Sequence, residues 1–564
     1  MPGFHPISDG IRHIQRYREI LEVLISTGLA DIVQELGLTK LMTRGKSLIL
    51  KRPTPEIEQL TRPQRLRKAL EQLGPTFIKM GQILSTRPDL IPESYANEFS
   101  HLQADAPTLP FSIIRQQLEE AFPGDVDHLF KQIDPTPLAA GSIAQTHLAT
   151  FHTGQEVVIK VRRPRIDQIT QTDIDILRTL ARFVEHHFSN LGFSPVEVVN
   201  EFSRELNREI DFTHEGRATD RLRTSFQDDP GVIFPQVHWQ ATTRTVLCLQ
   251  RIQGVLLSRL NPNDLDPEDR RRLVTNGARA VMRQTLELGF FHADPHPGNL
   301  IALDGGKIAF IDCGMIGQLD RRTSELLADL VHGVVTSDVE KVVRVIGEIG
   351  DVEPRALSNR VFLADVRDFI GHFASVPLEQ LDIGSLLIEF FHKLRLHQLR
   401  CPGDLVLLIK ALTTIEGVAE KIDPTFDLIS VAQPYIERLI RQRYGYRAIR
   451  RRLQNTLAAY AQLAERFPAD LKQVIDSLNR ERLTINLEHH RLDRLTETIE
   501  HASRNIAWAL VIAGLFVGSS ILVLANRGNT LWGLNVLGIL GFMTAGALVV
   551  LRVIVNRINR RNND

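Results

Sequence analysis

A chain of 564 residues, 43% hydrophobic and 24% charged, can hold two or more domains with sizeable cores and is too apolar to be disordered. Lys+Arg and Asp+Glu both number 67, so the formal net charge is zero and no global charge favours nucleic acid as a partner. The cysteines Cys248, Cys313 and Cys401 are widely spaced and form no CxxC or metal-ligand cluster, so free thiols in a reducing compartment are expected.

Residues 1–60 read as a helical N-terminal region. Ile14, Ile20, Leu21, Leu24, Ile25, Leu29, Ile32 and Val33 recur near helix spacing between Arg16, Arg18 and Glu22. Packing on the main body is the plain reading and a membrane-surface helix the alternative. There is no signal-peptide h-region; these termini, without a transit peptide, fit a bacterium or an organelle of that descent. Residues 61–130 form a second helical block, with Leu66, Leu70, Leu73 and Phe77 on one face and Pro75 suited to the first turn of a restarted helix. Lys79 and Gln82 share a helix face, and Gly81 between them permits a close approach. Taken alone, Lys79 reads first as a solvated lysine on an ordinary amphipathic helix.

In residues 131–250 the period changes to two. Pro137 to Thr150 reads as strand, small-residue turn (Ala139, Ala140, Gly141, Ser142) and strand; His152-Thr153-Gly154-Gln155 is a hairpin turn; Glu156 to Val161 is a β-branched strand carrying Lys160 near its end. Small residues let backbone N–H groups approach a phosphate. A strand-end lysine is usually solvated, and the loop upstream moves Lys160 towards function. Residues 166–225 read as helical. Asp211 and Glu215 are placed on one helix face and Glu209 on another, either as a solvated face or with a glutamate that pairs with Lys160. Short strands follow at 232–234 and 245–249.

Residues 251–440 are mainly helical and contain the most telling stretch. His292-x-Asp294 is followed by Asn299, and Asp312-x-Gly314 comes next. That is the layout of a protein-kinase-like phosphoryl-transfer site, in which acidic and amide oxygens converge on a hard cation. Arg438, Arg441, Arg443, Arg447, Arg450, Arg451 and Arg452 open a basic, amphipathic stalk (441–504), a solvated face or a contact for anionic headgroups. Residues 505–555 hold two uncharged runs, Ile506–Ala525 and Leu531–Leu551, each long enough to cross a bilayer, with a buried soluble hairpin as the alternative. Trp508 and Trp532 lie near their ends, and Arg504, Arg552, Arg557, Arg560 and Arg561 flank them, which places both chain ends and the body in the cytoplasm. Gly514 and Gly518 form a GxxxG that could serve the hairpin or a homodimer.

Taken in order, Lys79-x-Gly81-Gln82, Ala139-Ala140-Gly141-Ser142, Lys160, Glu209-x-Asp211 with Glu215, His292-x-Asp294 with Asn299, and Asp312-x-Gly314 resemble the UbiB family of atypical kinase-like proteins. The resemblance implies an α+β, protein-kinase-like bilobal fold with a helical N-terminal extension and a C-terminal transmembrane helical hairpin. It implies ATP and Mg2+ as cofactors. By it, Ala139, Ala140, Gly141, Ser142, Lys160 and Glu215 bind the nucleotide, Asn299 and Asp312 hold the metal, and Asp294 occupies the catalytic-base position. Lys79 pairs with Glu209, and the extension covers the place of a protein substrate. The family is associated with biosynthesis of ubiquinone or related prenylquinones, at the bacterial inner membrane, with lipid precursors or quinone-biosynthesis enzymes as partners. A kinase transferring the γ-phosphate and a pseudokinase scaffold are the alternatives. Gly141 stands where the family usually has Ala, and its freedom to adopt positive φ leads to the expectation that Gly141→Ala alters nucleotide affinity or turnover. Cys313 stands in place of the kinase Phe, which leaves a Phe-flip inactivation without its Phe.

Overall fold

The computed structural model describes residues 6–31, 57, 59–85, 87, 90–102, 106–187, 194–350, 352, 357, 359–374, 383–397, 399, 402–444, 450, 454, 457, 458, 492–525, 530, 531, 534, 535, 537 and 539–549. Ile32, Val33, Cys401, Arg447, Arg451, Arg452, Trp532, most of the stalk and the end of the second apolar run lie outside the described residues. The chain divides into two compact units, Met1–Leu453 and Gln454–Asp564.

In the first unit, α1 (Pro6–Ser26), α2 (Arg62–Leu73), α3 (Pro75–Ser85) and α4 (Glu93–Phe99) form a helical extension. Pro75 opens α3 directly after Gly74, where a missing N–H costs nothing. Then α5 (Phe111–Ala121) leads into β1 (Phe130–Ala140), β2 (Ala144–Phe151) and β3 (Glu156–Arg162). With β5 (Val246–Gln250) these make an antiparallel sheet in the order β1-β2-β3-β5. Strand period explains β3: Val157, Ile159 and Val161 are fully buried against Ile114 and Leu118 of α5, so Lys160 points to the other face.

Three helices connect β3 to the second lobe: α6 (Ile166–His187), α7 (Pro195–Glu209) and α8 (Phe212–Ser225). The helix expected through 205–215 is in fact two. Asp211 lies in extended backbone as the N-cap of α8 and accepts from the Thr213 N–H (3.1 Å), so it shares no helix face with Glu215, and Glu209 ends a different helix. In the second lobe β4 (Val232–Ile233), β6 (Val255–Leu256), β8 (Leu300–Leu303) and β9 (Lys307–Phe310) form a sheet of order β4-β9-β8-β6. A small ribbon pairs β7 (Phe290–His292) with β10 (Ile316–Gln318). Around them pack α9 (Pro267–Met282), α10 (Arg321–Val335), α11 (Val339–Gly350), α12 (Arg360–Ala374), α13 (Ile383–Leu396), α14 (Gly403–Ile422) and α15 (Leu428–Tyr444), sharing one large apolar core.

The second unit contains α16 (Leu492–Ala525) and helical residues 541–549. The uninterrupted run of described side chains in α16 extends from Ile506 to Ile521. Among the described residues no helix is long and apolar enough to cross a membrane, so the expected transmembrane hairpin is not supported by the fold itself. A Cβ on Gly514 or Gly518 would meet nothing, whereas one on Gly541 would collide with Ser519, and Ser519 and Ala545 are buried. The close approach within this unit therefore joins Gly541 to Ser519 and does not use the GxxxG pair.

Candidate active site

The cleft is built around Lys160. Its Nζ donates to both Glu215 oxygens, at 3.0 and 2.9 Å, and to Asp312 Oδ2 at 3.1 Å. Glu215 stands in the first turn of α8 and is buried; Asp312 follows β9 and keeps 39% of its side chain exposed. Burial raises the pKa of Glu215, while the Lys160 charge opposes it. Burial also pushes Asp312 upwards, but Lys160 and the Gly314 N–H (2.8 Å to Oδ1) outweigh it and hold this carboxyl below the usual range. Lys160 is raised despite its own desolvation, because two carboxylates face it. The cleft thus holds a charged lysine and an ionised, accessible aspartate.

The β8–β9 register brings Asn299 beside Asp312. Leu300 pairs with Phe310, and one step outward the Ile311 N–H donates to the Asn299 carbonyl (3.0 Å). The Asn299 amide nitrogen donates to the Asp294 carbonyl (3.2 Å), leaving the amide oxygen as the group with capacity for a cation. Among the described residues no three His, Cys, Asp or Glu side chains converge as a metal cluster. Two oxygen donors fit magnesium bound jointly with nucleotide phosphates, since that ion keeps water and substrate oxygens as its other ligands.

Asp294 pairs with a residue that no motif singles out. Lys410, on α14, places Nζ 2.9 Å from Asp294 Oδ1. Behind it, His292 is buried; its ring Nδ1 accepts from the Asp294 N–H (3.0 Å), its backbone N–H donates to Gln284 Oε1 (2.9 Å), and its ring Nε2 is buried without a hydrogen-bond partner among the described residues. Gln284 lies in a π-helical turn, Arg283–Glu287, that follows α9. Burial pushes His292 down to about 4, so it is neutral, with the proton on Nε2.

The loop Ala139-Ala140-Gly141-Ser142 closes tightly between β1 and β2, the Gly141 N–H donating to the Ala144 carbonyl (2.8 Å). Arg163 donates to the Gly141 carbonyl and to the Pro107 carbonyl, both at 2.8 Å, and the Ala106 N–H reaches the Ala140 carbonyl (3.0 Å). Gly141 is not among the glycines at positive φ, and a Cβ there would meet only the Ala144 carbonyl at 3.5 Å. The positive-φ reason given for Gly141 is therefore corrected: an alanine fits this backbone.

Lys79 on α3 pairs with Glu209 Oε1 at 2.7 Å. Gly81 is needed for packing, since its Cβ would lie 2.2 Å from Leu102 Cδ1; Gln82 donates to the Leu102 carbonyl (3.1 Å). Asp211 pairs with Arg244 (2.9 Å) and lies outside the lysine network. Cys313 is buried beneath the cleft and burial raises its thiol pKa, as it does that of Cys248 (to about 12), so neither is a nucleophile.

A two-lobed fold with a strand lysine, a helix glutamate and paired Asn and Asp at a hairpin end defines a protein-kinase-like chain. Residues 101–346 match the ABC1 atypical kinase-like domain, 366–427 the UbiB helical domain and 490–558 the ABC1/UbiB kinase-like C-terminal domain. The chain belongs to the UbiB family of atypical kinase-like proteins. It is 32% identical to a "Probable protein kinase UbiB" of Xylella fastidiosa, covering 84% of this chain and 86% of that one. It is 32% identical to one of Pseudomonas aeruginosa, over 80% and 86%. An "Uncharacterized protein in hydrogenase 1 5'region" of Clostridium pasteurianum is 29% identical over 95% of this chain and 97% of its own length. Among solved structures, the complex of Rv3197 with erythromycin from Mycobacterium tuberculosis aligns with a TM-score of 0.43 at 20% identity, over 64% of this chain and 94% of that one.

Proposed function

We propose that this chain is a membrane-tethered atypical kinase or ATPase that binds Mg-ATP and supports biosynthesis of ubiquinone or a related prenylquinone, acting on lipid precursors or their enzyme complex. The observation that carries the nucleotide site is Lys160 shared between buried Glu215 and accessible Asp312. On nucleotide binding, Lys160 keeps Glu215 and turns to the α/β-phosphates. Asn299 and Asp312 would hold magnesium, which supplies neutralisation of phosphate charge when bound. The Lys79–Glu209 pair on the extension favours water or a small lipid headgroup over a peptide as the acceptor. Transfer of the γ-phosphate to a protein or small molecule is the second reading, and Asp294 in the base position supports it.

The tether rests on exposed apolar side chains of the second unit. Leu510 is 68% exposed, Val517 61% and Leu524 83%, and Leu537, Leu540 and Met543 are also exposed. Such a surface calls for a covering that water does not supply. A body held at a bilayer, on the cytoplasmic face of a bacterial inner membrane, meets prenylated precursors at raised effective concentration. The test is ATP turnover by the full-length chain, with and without lipid vesicles and phenol-like headgroup analogues, beside Asp312→Asn. Turnover above the Asp312→Asn background supports the proposal, and label on an acceptor selects the kinase form. No turnover above that background leaves a nucleotide-binding scaffold.

A further inference from the structure

The segment from Asp294 to Asn299, Asp-Pro-His-Pro-Gly-Asn, contains no lysine or arginine. His296, its one basic side chain, uses Nδ1 to accept from the Gly298 N–H at 3.0 Å. Lys160, held by Glu215 and Asp312, is taken by the α/β-phosphates in the reading above and not by the γ-phosphoryl group. Lys79 is committed to Glu209. Phosphoryl transfer places negative charge on the equatorial oxygens of the transferred group, and a fixed cation there is a principal source of rate. The lysine that stands beside the segment comes from the helical region more than a hundred residues further on: Lys410 of α14, 2.9 Å from Asp294.

The pair has the character of a site and not of a structural strut. Lys410 and Asp294 retain 28% and 30% side-chain exposure. An ion pair that open contributes little to stability and is readily exchanged for a stronger anion. While it stands, the Lys410 ammonium occupies an oxygen of Asp294 that an acceptor hydroxyl would need. A γ-phosphoryl group with several anionic oxygens is the better partner for a compact ammonium.

We propose that Lys410 is a catalytic residue of this site, exchanging Asp294 for an oxygen of the γ-phosphoryl group when ATP binds and thereby freeing Asp294 to take the acceptor's proton. This rests on the nucleotide reading above. With water as acceptor, its oxygen forms the new bond to Pγ and the bond from Pγ to the β,γ-bridging oxygen breaks. ADP leaves with that electron pair, and the water proton passes to Asp294.

The test uses the full-length chain in detergent micelles, as wild type, Lys410→Met and Lys410→Arg, with ATP and ADP affinity and ATP turnover measured for each. ADP lacks the group that Lys410 contacts, so Lys410→Met is expected to leave ADP affinity within about twofold while weakening ATP about tenfold or more. Turnover at saturating ATP falls roughly 100-fold, as for loss of one charge-stabilising donor. Lys410→Arg, which keeps the cation, restores most of both. An unchanged ATP-to-ADP affinity ratio in Lys410→Met overturns the assignment even if turnover changes. So does a rise in turnover, which would make Lys410 only a lock on Asp294. Wild type that binds neither nucleotide defeats the nucleotide reading itself and this proposal with it.

Discussion

Gly81 offers the sharpest link between packing and the site. An alanine Cβ would stand 2.2 Å from Leu102 Cδ1 and 2.9 Å from Leu70 Cδ1. Carbon–carbon contacts relax near 3.5–4.0 Å, so α3 or Leu102 must yield by roughly 1.5 Å. Leu70 and Leu102 are 4% and 5% exposed in one core cluster, so a shift of either methyl is felt by its packed neighbours. Overpacking of this kind costs about 1–3 kcal/mol. Replacing glycine by alanine inside a helix returns about 1 kcal/mol. The net expectation is destabilisation by about 1 kcal/mol, read as a lowered urea midpoint of the full-length chain. Displacement of α3 also carries Lys79 away from Glu209, now at 2.7 Å. In a Leu102→Ala background the tighter of the two contacts is removed and only Leu70 Cδ1, at 2.9 Å, must shift, so Gly81→Ala is expected to cost clearly less than in wild type. A Gly81→Ala protein as stable as wild type, or one equally destabilised in both backgrounds, would refute the packing account.

Other consequences follow from the same geometry. Arg16 of α1 grips fully buried Asp173 with two hydrogen bonds, 2.7 and 3.0 Å, and also donates to the Leu73 carbonyl (2.6 Å). Arg16→Met strands that carboxylate at a cost of about 3–5 kcal/mol, while Arg16→Met/Asp173→Leu recovers most of it; thermal denaturation of the single and double variants checks this. His292 has a pKa near 4 when folded against 6.5 when free, so between those values only the unfolded chain takes up the proton. Stability is therefore intact above pH 6.5 and falls by up to roughly 3 kcal/mol as pH approaches 4. His292→Asn, which retains an acceptor for the Asp294 N–H, flattens that part of the profile in acid-unfolding measurements followed by circular dichroism; an unchanged slope would assign it elsewhere. Gly141→Ala leaves the thermal midpoint within about 1 °C, since its Cβ meets only an ordinary contact; a large drop would show a tighter loop than this geometry allows.

Much of the site was legible because short-range spacing carries it. The alternation of Val157, Ile159 and Val161 turns Lys160 away from the buried face whatever the rest of the chain does. The spacing from Asp294 to Asn299 and the Asp312-x-Gly314 turn are equally local. Where spacing misled, a backbone choice had intervened. Asp211 caps a helix instead of sitting within one, and Gly141 closes its turn without positive φ.

The sequence by itself determined the motifs of the candidate site, the helical extension with Lys79 and the strand that presents Lys160, because residue type and period act over a few positions. Only the tertiary structure decided the partners: Glu209 for Lys79, Glu215 and Asp312 for Lys160, Leu102 for Gly81, and Lys410 for Asp294. Those contacts join distant parts of the chain, and no local pattern records which lysine a folded core will bring within hydrogen-bonding reach of which carboxylate.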